Sequence, residues 1–336
     1  MSETTTTQQL TVGIDIGGTK VAAGLVDPKG QVLFKTRVPM VAAGDAAEGF
    51  AAVKRAIDAV LAAYPHSQEC LVGIGICSPG PLDPRTGVVI NPPNLPCWRN
   101  FPLAAEVERA FAVVARVDND ANAAALAEAL WGAGVGYESV FYATIGTGIG
   151  TGIVFGQRIY HGRTGSAAEG GHVTIDYHGP PCACGKRGCI EALASGPALA
   201  RHARQRLAAA PASVSKILAL ADGNPEAITA ETIAEAHQTG DPLATQLLAE
   251  TADYLAIWLG SVIDLLEPDV IVIGGGMSAV IESWFEHIRG QLPAWSINQR
   301  CQEIPLRRAA YGEDSGIAGA AALWHQPDRK PISSGV

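Results

Sequence analysis

Residues 12–26 read VGIDIGGTKVAAGLV, two short apolar runs joined by a turn that contains glycine. Short runs rich in Val and Ile and bounded by glycine are typical of β-strands. Gly17 and Gly18 can adopt positive φ and leave the backbone uncovered, so the turn can bring N–H groups against a ligand. This segment therefore predicts a tight turn between two strands that is able to bind an anionic group.

The same unit recurs later in the chain. Residues 141–155 read FYATIGTGIGTGIVF, again two apolar runs around a Gly/Thr turn. With a shift of 129 positions, from 12 to 141, Ile16 and Gly17 fall on Ile145 and Gly146. An internal repeat of this kind predicts two related halves that bind one ligand between them.

A third glycine segment, DVIVIGGGMS at 269–278, predicts a buried strand that opens onto a turn and a helix. The two hairpin turns offer N–H and hydroxyl donors to phosphates, and the third leaves space for a nucleobase or ribose. The first turn is not a Walker A loop, because Thr19 precedes Lys20 where that motif places Lys before the hydroxyl residue. A single turn of this type is most often an ordinary hairpin, so the nucleotide hypothesis depends on the set of three. Asp15, at the end of the first strand, is a candidate for Mg²⁺ bound through water.

Composition excludes several classes of protein. The 336 residues contain 24 Lys and Arg against 33 Asp and Glu, a net charge of −9, which argues against a nucleic-acid partner. The chain is 48% hydrophobic and 17% charged, so it can bury sizeable cores, and its length predicts about two domains. The longest apolar stretch, 255–276, is interrupted by acidic residues and proline, which predicts no membrane span. The polar N-terminus lacks the pattern of a signal peptide, so we expect a cytoplasmic protein.

The segment VDNDANAAALAE, residues 117–128, passes from a strand into a helix. Asp120 lies at the helix N-terminus, where it can act as the general base that accepts a hydroxyl proton during phosphoryl transfer. The alternative is that Asp120 or Asn119 only caps the helix. Asp118 is a competing base that spacing alone does not exclude.

Three cysteines, Cys182, Cys184 and Cys189, lie within eight residues, and His172 precedes them. Three thiolates and one imidazole make a closed tetrahedral site for a structural Zn²⁺. The other four cysteines are scattered, which does not favour a disulfide framework. Unliganded buried thiols are the alternative. The metal would fix the loop that carries Glu169 and Glu191, whose carboxylates can accept paired sugar hydroxyls or simply face solvent.

Taken together, the motifs resemble the ROK family (repressor, open reading frame, kinase), and its sugar kinases in particular. The resemblance covers about residues 11–325 and rests on IDIGGTK, SPGPLD, DNDANAAALAE, IGTGIGTGIV, EGGH, CACGKRGCIE and IGGGMS, in the order expected for the family. It implies an α/β fold of the actin-like, hexokinase type (ribonuclease H-like), duplicated into two lobes with a cleft between them. We expect a small lobe at 1–118 plus 314–336 and a large lobe with the zinc loop at 119–313.

The resemblance also implies a role for each motif, with Asp120 as the base. We expect Mg²⁺–ATP to be bound by the three glycine turns, at Asp15, Gly17, Gly18, Thr19, Lys20, Thr144, Gly146, Thr147, Gly148, Gly274, Gly275 and Gly276. Sugar hydroxyls are expected at Gly80, Asn94, Asn119, Asp120, Glu169, His172 and Glu191. Zinc is expected at His172, Cys182, Cys184 and Cys189.

One motif departs from the usual family sequence, and one loop is similar to a subgroup of the family. Gly170 stands where the family often has a bulky apolar residue in E-x-G-H, and it is expected to loosen the local strand without removing a ligand. The loop INPPNLPCW is similar to glucokinase-like members through N-L-P-x-W, which makes Asn94 a candidate for the sugar loop.

The implied activity is that of an ATP-dependent hexose kinase, with glucose as the expected substrate and its 6-hydroxyl as the acceptor. The alternative within this class is an N-acetylmannosamine or N-acetylglucosamine kinase. A sugar-binding transcriptional repressor is a remote alternative, because the eleven Thr-rich residues before Val12 leave no space for a DNA-reading domain. Family members imply a homodimer or homotetramer, with no nucleic-acid or membrane partner.

Overall fold

The computed structural model describes residues 9–64, 70–209 and 215–327. The strands are β1 (Leu10–Ile16), β2 (Lys20–Val26), β3 (Val32–Pro39), β4 (Leu71–Ser78), β5 (Leu82–Asp83), β6 (Val88–Val89), β7 (Ala115–Asn119), β8 (Ser139–Ile145), β9 (Ile149–Phe155), β10 (Arg158–Ile159), β11 (Val270–Gly274) and β12 (Leu306–Arg308). The α-helices are α1 (Ala46–Ala63), α2 (Leu103–Phe111), α3 (Asp120–Trp131), α4 (Ile190–Ala194), α5 (Gly196–Ala209), α6 (Lys216–Leu220), α7 (Ala230–Gln238), α8 (Pro242–Leu266), α9 (Ser278–Glu282), α10 (Phe285–Gln291) and α11 (Ser315–Ala322). Within these ranges, no helix is both long and apolar enough to cross a bilayer.

Two five-stranded sheets share one topology. Their strand orders are β3-β2-β1-β4-β7 and β10-β9-β8-β11-β12. In the first sheet β4 is parallel to β1 and β7 to β4, and in the second β11 is parallel to β8 and β12 to β11. The bounds of β8 and β9 lie 129 residues after those of β1 and β2. The predicted repeat is therefore confirmed as a duplicated α/β unit.

Glycines in the first sheet allow one helix to pack directly on the strands. A β-carbon built on Gly13 of β1 would lie 2.0 Å from the Ile317 carbonyl oxygen, and one on Gly75 of β4 would lie 1.8 Å from that of Ala320. Both contacts are impossible for any other residue, so the backbone of α11 lies almost on the sheet. The small residues of α11, SGIAGAAA, are the matching half of this contact.

Contacts group the chain into two compact units. The described residues of 1–138, 152–168 and 310–336 form one, and those of 139–151 and 169–309 form the other. The expected lobe boundaries, 1–118 plus 314–336 and 119–313, remain a prediction. Their outermost residues, 1–8 and 328–336, lie outside the described part of the chain.

The apolar run at 112–117 becomes a strand only from its fourth residue, Ala115. Residues 103–111 form helix α2, which ends at Ala112 in the left-handed conformation (φ 53°), and β7 follows from 115 to 119. The buried pair Leu103 and Val107, spaced i and i+4, is the helical signal in this segment.

Glu128 connects α3 to the segment that precedes α11. Its side chain is fully buried, and its carboxylate accepts N–H groups from Ala133 (2.8 Å), Ala310 (2.9 Å) and Tyr311 (3.0 Å). Glu128→Ala leaves these donors without an acceptor, so we expect the free energy of unfolding in urea to fall by about 3 kcal/mol or more. Glu286→Ala, at a largely exposed surface position, is the control and should change it by less than about 0.5 kcal/mol. Equal stability of the two variants would contradict this role.

Candidate active site

The carboxyl ends of β1, β4 and β7 bring polar residues to one edge of the first sheet. The strand register pairs Asp15 with Cys77 and Cys77 with Asp118. The Cys77 thiol lies 3.5 Å from Asp15 Oδ1. Burial, followed by the negative charges of Asp15 and Asp120, raises the pKa of Cys77 well above its usual value. Asp15 and Asp120, both expected in the site from sequence, thus lie near the same buried thiol.

Asp15 is a carboxylate held in a poorly solvated position. Burial raises its pKa, and the Cys77 thiol and the charges of Lys20 and Arg37 only partly oppose this. A β-carbon on Gly316 would lie 2.5 Å from the Asp15 carboxylate, so α11 begins directly against it. A desolvated carboxylate of this kind fits a hydrated divalent cation, which restores the favourable charge interaction lost on burial.

The three polar candidates at 118–120 have different environments at the start of α3. Asn119 is the helix cap, and its Oδ1 accepts the N–H groups of Ala121 (2.9 Å) and Asn122 (3.4 Å). Asp118 is 4% exposed, and its two oxygens are hydrogen-bonded within the protein. Asp120 is exposed in the first turn of the helix. Of the two carboxylates, Asp120 is the one that a substrate can reach, which supports it over Asp118 as the base.

The first hairpin turn is closed by one hydrogen bond, from Gly17 N to the Lys20 carbonyl oxygen at 2.9 Å. A β-carbon on Gly18 would lie 2.8 Å from the carbonyl oxygen of Asn94. Gly18 is therefore needed for a close contact with the loop at Asn94 as well as for an open turn. The side chains of Thr19 and Lys20 are exposed.

The loop NLPCW is held by its apolar residues. Leu95 and Trp98 are fully buried, and the Trp98 ring stacks on Phe101 with the centroids 4.8 Å apart. Asn94 is exposed above these anchors. Elsewhere in the same unit, a β-carbon on Gly80 would lie 3.8 Å from the amide nitrogen of Asn119, so these two candidates for sugar binding are neighbours.

In the second unit, the hairpin turn at 144–148 meets the glycine turn at 274–276. Met277 N donates to the Ile145 carbonyl oxygen (3.0 Å). Gly275 has φ +85°, and a β-carbon there would lie 2.4 Å from the Ile145 carbonyl oxygen and 2.7 Å from Thr144 Oγ1. Strand pairing places Gly274 beside Thr144. The two turns predicted to act together are thus in direct contact.

A cavity of about 460 Å³ opens at these turns. Its walls come from the two turns, helix α5 and the residues around the start of α7: Gly146, Thr147, Gly196, Pro197, Ala200, Arg204, Ile228, Thr229, Ala230, Glu231, Gly276 and Met277. Gly146, Thr147 and Gly276 were expected from the sequence, whereas the walls formed by the helices were not. Arg204, one turn after Ala200 on α5, carries a charge toward this cavity, and that spacing is the signal that was available.

The predicted zinc ligands form a compact cluster. The ligand atoms of His172, Cys182, Cys184 and Cys189 all lie within 4.8 Å of one another. The Cys182 Sγ to His172 Nδ1 and Cys184 Sγ to Cys189 Sγ distances are both 3.6 Å. Zn–S bonds of about 2.3 Å in a tetrahedron place ligand atoms roughly 3.8 Å apart, so the cluster has the right size for zinc.

Thiol chemistry in the cluster also favours a cation. Burial, together with the neighbouring thiols of Cys184 and Cys182, raises the pKa of Cys189 to about 12. The backbone N–H of Lys186 lowers the pKa of the exposed Cys184. Three thiols in one place resist ionisation together unless a cation compensates their charge, and a divalent metal supplies that compensation.

The cluster is joined to the second hairpin turn. Glu191 Oε2 accepts the N–H of Ile149 at 2.9 Å, and its Oε1 lies 3.9 Å from His172 Nδ1. A β-carbon on Gly171 would lie 1.7 Å from the Ile149 carbonyl oxygen. Glu191 therefore has a structural bond besides its expected role toward sugar. Glu169 is exposed and directly precedes Gly170.

The expectation that Gly170 loosens a strand is wrong, because residues 170–172 form a 3₁₀ turn. Gly170 N donates to Thr151 Oγ1 (2.8 Å), and its carbonyl oxygen accepts the indole N–H of Trp258 (3.1 Å). A β-carbon at Gly170 would lie 2.7 Å from Thr151 Oγ1. The glycine permits this close contact, so the turn is firmly held.

The model of the ROK family matches residues 11–327. The chain belongs to the ROK family. This confirms the resemblance based on the sequence motifs.

Similar proteins include sugar kinases of this family. The glucokinase of Streptomyces coelicolor is 35% identical over 322 residues, 95% of this chain and 98% of the relative. The crystal structure of a ROK family glucokinase from Streptomyces griseus, in complex with glucose and AMPPNP, is 36% identical with a TM-score of 0.78, over 94% of this chain and 98% of that one. The N-acetylmannosamine kinase of Escherichia coli is 32% identical over 320 residues, 93% of this chain and 97% of the relative. The predicted actin-like, hexokinase-type fold class is thereby confirmed.

Proposed function

We propose that this ROK family sugar kinase is an ATP-dependent glucokinase that phosphorylates the sugar 6-hydroxyl, with Asp120 as the general base. The observation that carries the proposal is the start of α3, where Asp120 is exposed and Asp118 is buried and hydrogen-bonded. An isolated alkoxide is far too basic to form at neutral pH. Asp120 therefore accepts the hydroxyl proton late, as the bond to the transferred phosphoryl group forms.

The glycine turns supply the groups for the phosphoryl donor. Backbone N–H groups of the turns at Gly17 to Thr19 and at Gly146 to Gly148 would bind phosphate oxygens, and the cavity beside Gly274 to Gly276 would take the adenosine. Asp15 would hold Mg²⁺ through water. When bound, Mg²⁺ neutralises charge on the transferring phosphates.

The sugar hydroxyls would be bound by residues from the loops and strand ends described above: Gly80, Asn94, Asn119, Asp120, Glu169, His172 and Glu191. Structural Zn²⁺ on His172 and the three cysteines would hold the segments of Glu169 and Glu191 in place. His172 and the three cysteines would occupy all four coordination positions of the zinc. No position is left open for a substrate, so we assign this metal no part in the phosphoryl step.

Glucose is proposed over the acetamido sugars for two reasons. The Streptomyces coelicolor and Streptomyces griseus relatives, at 35% and 36% identity, are glucokinases, whereas the N-acetylmannosamine kinase is 32% identical. The second reason is the N-L-P-x-W segment, which is similar to glucokinase-like members of the family. Its Asn94 is exposed above the buried Leu95 and Trp98. A dimeric or tetrameric assembly and a cytoplasmic location stay predictions.

Gly276→Ala tests the nucleotide cavity. A β-carbon on Gly276 meets no protein atom within 4 Å, so the substitution should not alter stability. A methyl group in the adenosine cavity should raise the KM for ATP about tenfold, equal to about 1.4 kcal/mol, with the KM for glucose unchanged. Gly290→Ala, also with no atom within 4 Å, is the control. Unchanged ATP kinetics in Gly276→Ala would place the nucleotide elsewhere.

Asp15→Asn tests the metal-binding carboxylate. Because burial raises the pKa of Asp15, its charged form destabilises the ligand-free protein. The variant should therefore be at least as stable as wild type at neutral pH, and the difference should vanish as pH falls and Asp15 becomes protonated. In the same variant kcat should fall about 10²-fold or more, because charge stabilisation at the phosphates is lost. A variant that is destabilised but fully active would contradict this assignment.

The position of phosphorylation can be read from the product. Phosphorus and proton NMR of a reaction with Mg²⁺–ATP and glucose should show a phosphate monoester at C6. The matched control is 6-deoxyglucose, which lacks the accepting hydroxyl and should yield no phosphorylated sugar. Transfer to the deoxy sugar would refute the assigned acceptor.

A further inference from the structure

Asp118 is hydrogen-bonded to the first turn of α3 on one side. Its Oδ1 accepts the backbone N–H of Asn119 at 2.8 Å and the side-chain amide of Asn122 at 3.1 Å. Asn122 is itself buried, and its Oδ1 has no hydrogen-bond partner among the described residues. Within this part of the chain, Asp118 is thus what fixes the Asn122 side chain, and both residues flank Asp120.

On its other side Asp118 meets a histidine from a distant segment. His161, just after β10, places Nε2 2.6 Å from Asp118 Oδ2. The imidazole is 16% exposed and the carboxylate 4%, so solvent screens this pair little. A buried carboxylate needs a donor on each oxygen, since leaving one unsatisfied costs about 1–3 kcal/mol. His161 supplies the donor to Asp118 Oδ2, whereas the groups at the start of α3 donate to Oδ1.

We propose that His161 is a positioning residue for Asp120. Through Asp118, its Nε2 holds the Asn119 N–H and the Asn122 amide in place, and with them the orientation of the first turn that carries Asp120. This inference rests on the proposed role of Asp120 as the base. Without the donor, the Asp118 carboxylate turns toward other donors and the first turn of α3 shifts with it. A misplacement of about 1 Å at a reacting group can cost about 10²-fold in rate.

Two amide substitutions separate this role from simple packing. His161→Gln can place an amide nitrogen near the position of Nε2, whereas the shorter His161→Asn cannot reach Asp118. The pair borders a polar cavity of about 360 Å³ lined in part by Arg85, Glu108, Arg116 and Gln326, so either side chain fits without overpacking. We expect kcat to stay within about fivefold of wild type in His161→Gln and to fall about 10²-fold in His161→Asn, with the KM for ATP little changed in both.

A surface pair of the same chemistry provides the control. His287 Nε2 lies 2.7 Å from Asp253 Oδ1, at an exposed position in the other unit. His287→Gln and His287→Asn should both leave kcat unchanged. His161→Asn should also add no further loss to Asp120→Asn, because a residue that acts through Asp120 has nothing to position once the base is gone.

The outcomes are separable from those of the proposed function. Wild-type turnover of glucose and its loss in Asp120→Asn test the base itself. Equal kcat values for His161→Gln and His161→Asn would overturn the positioning role, whether both are near wild type or both are low. Full additivity of His161→Asn with Asp120→Asn would overturn it as well. The positioning role is supported if kcat falls in His161→Asn but not in His161→Gln, and if His161→Asn causes no further loss in the Asp120→Asn background.

Discussion

Asp120→Asn is expected to lower kcat by about 10²–10⁴-fold, the usual contribution of a general base. The substitution keeps the size of the side chain and its place in the first turn of α3, where Asp120 Oδ1 accepts the N–H of Ala121 at 2.8 Å. An amide can accept that hydrogen bond but cannot take up the proton of a sugar hydroxyl. Glucose affinity, measured by calorimetry, should therefore stay near the wild-type value while steady-state turnover collapses.

Asp45→Asn is the matched control for this experiment. Asp45 is also an exposed aspartate at a helix N-terminus, where its side chain accepts the N–H of Glu48 at 2.8 Å. Asparagine caps helices about as well as aspartate, so this variant should keep its activity. Near-wild-type turnover of Asp120→Asn would show that the base is elsewhere, and Asp118 would be the next candidate.

Cys189→Ser is expected to remove the metal and destabilise the protein. Cys189 is fully buried within the four-residue cluster, so its loss breaks a closed ligand set and leaves two other thiols and an imidazole without a cation. Elemental analysis should find one zinc ion per wild-type chain and much less in the variant. The free energy of unfolding should fall by about 4 kcal/mol, as is typical for the loss of a structural metal. Sugar affinity should fall with it, because Glu191 contacts this cluster.

The control for the metal experiment is Cys97→Ser. Cys97 is partly buried, remote in sequence from the cluster and outside the group of ligand atoms. This variant should retain full zinc content. A folded and active wild-type protein that contains no zinc would contradict the metal assignment.

The duplicated fold could be predicted from two short segments. The two hairpins repeat with an offset of 129 residues. Each is a local unit of two apolar strands around a glycine turn, and such units can be recognised from the sequence pattern. The cysteine cluster could also be predicted, since the short spacing of its three cysteines brings the thiols together. The three glycine turns could be grouped from their shared composition, whereas the contact of the third with the second hairpin follows from the parallel pairing of β8 and β11 in the fold.

Other features depend on contacts distant in sequence and could not be predicted. Gly18 faces Asn94 and Gly13 faces Ile317, and neither approach leaves a periodic signal. Spacing alone did not exclude Asp118 as the base, because its burial and its contact with the distant His161 are set by the fold. The error at Gly170 has the same origin: a strand was expected from the motif, whereas Thr151 and Trp258 stabilise a turn.

The sugar specificity of the kinase is measured with a coupled assay of ADP release with Mg²⁺–ATP and a panel of sugars. The panel contains glucose, mannose, fructose, N-acetylglucosamine and N-acetylmannosamine. The predicted result is the highest kcat/KM for glucose, by about tenfold or more over the acetamido sugars, which is the scale that pocket shape supplies. A preference for an acetamido sugar would contradict the glucose assignment, and no turnover of any sugar by zinc-loaded protein would contradict the kinase itself.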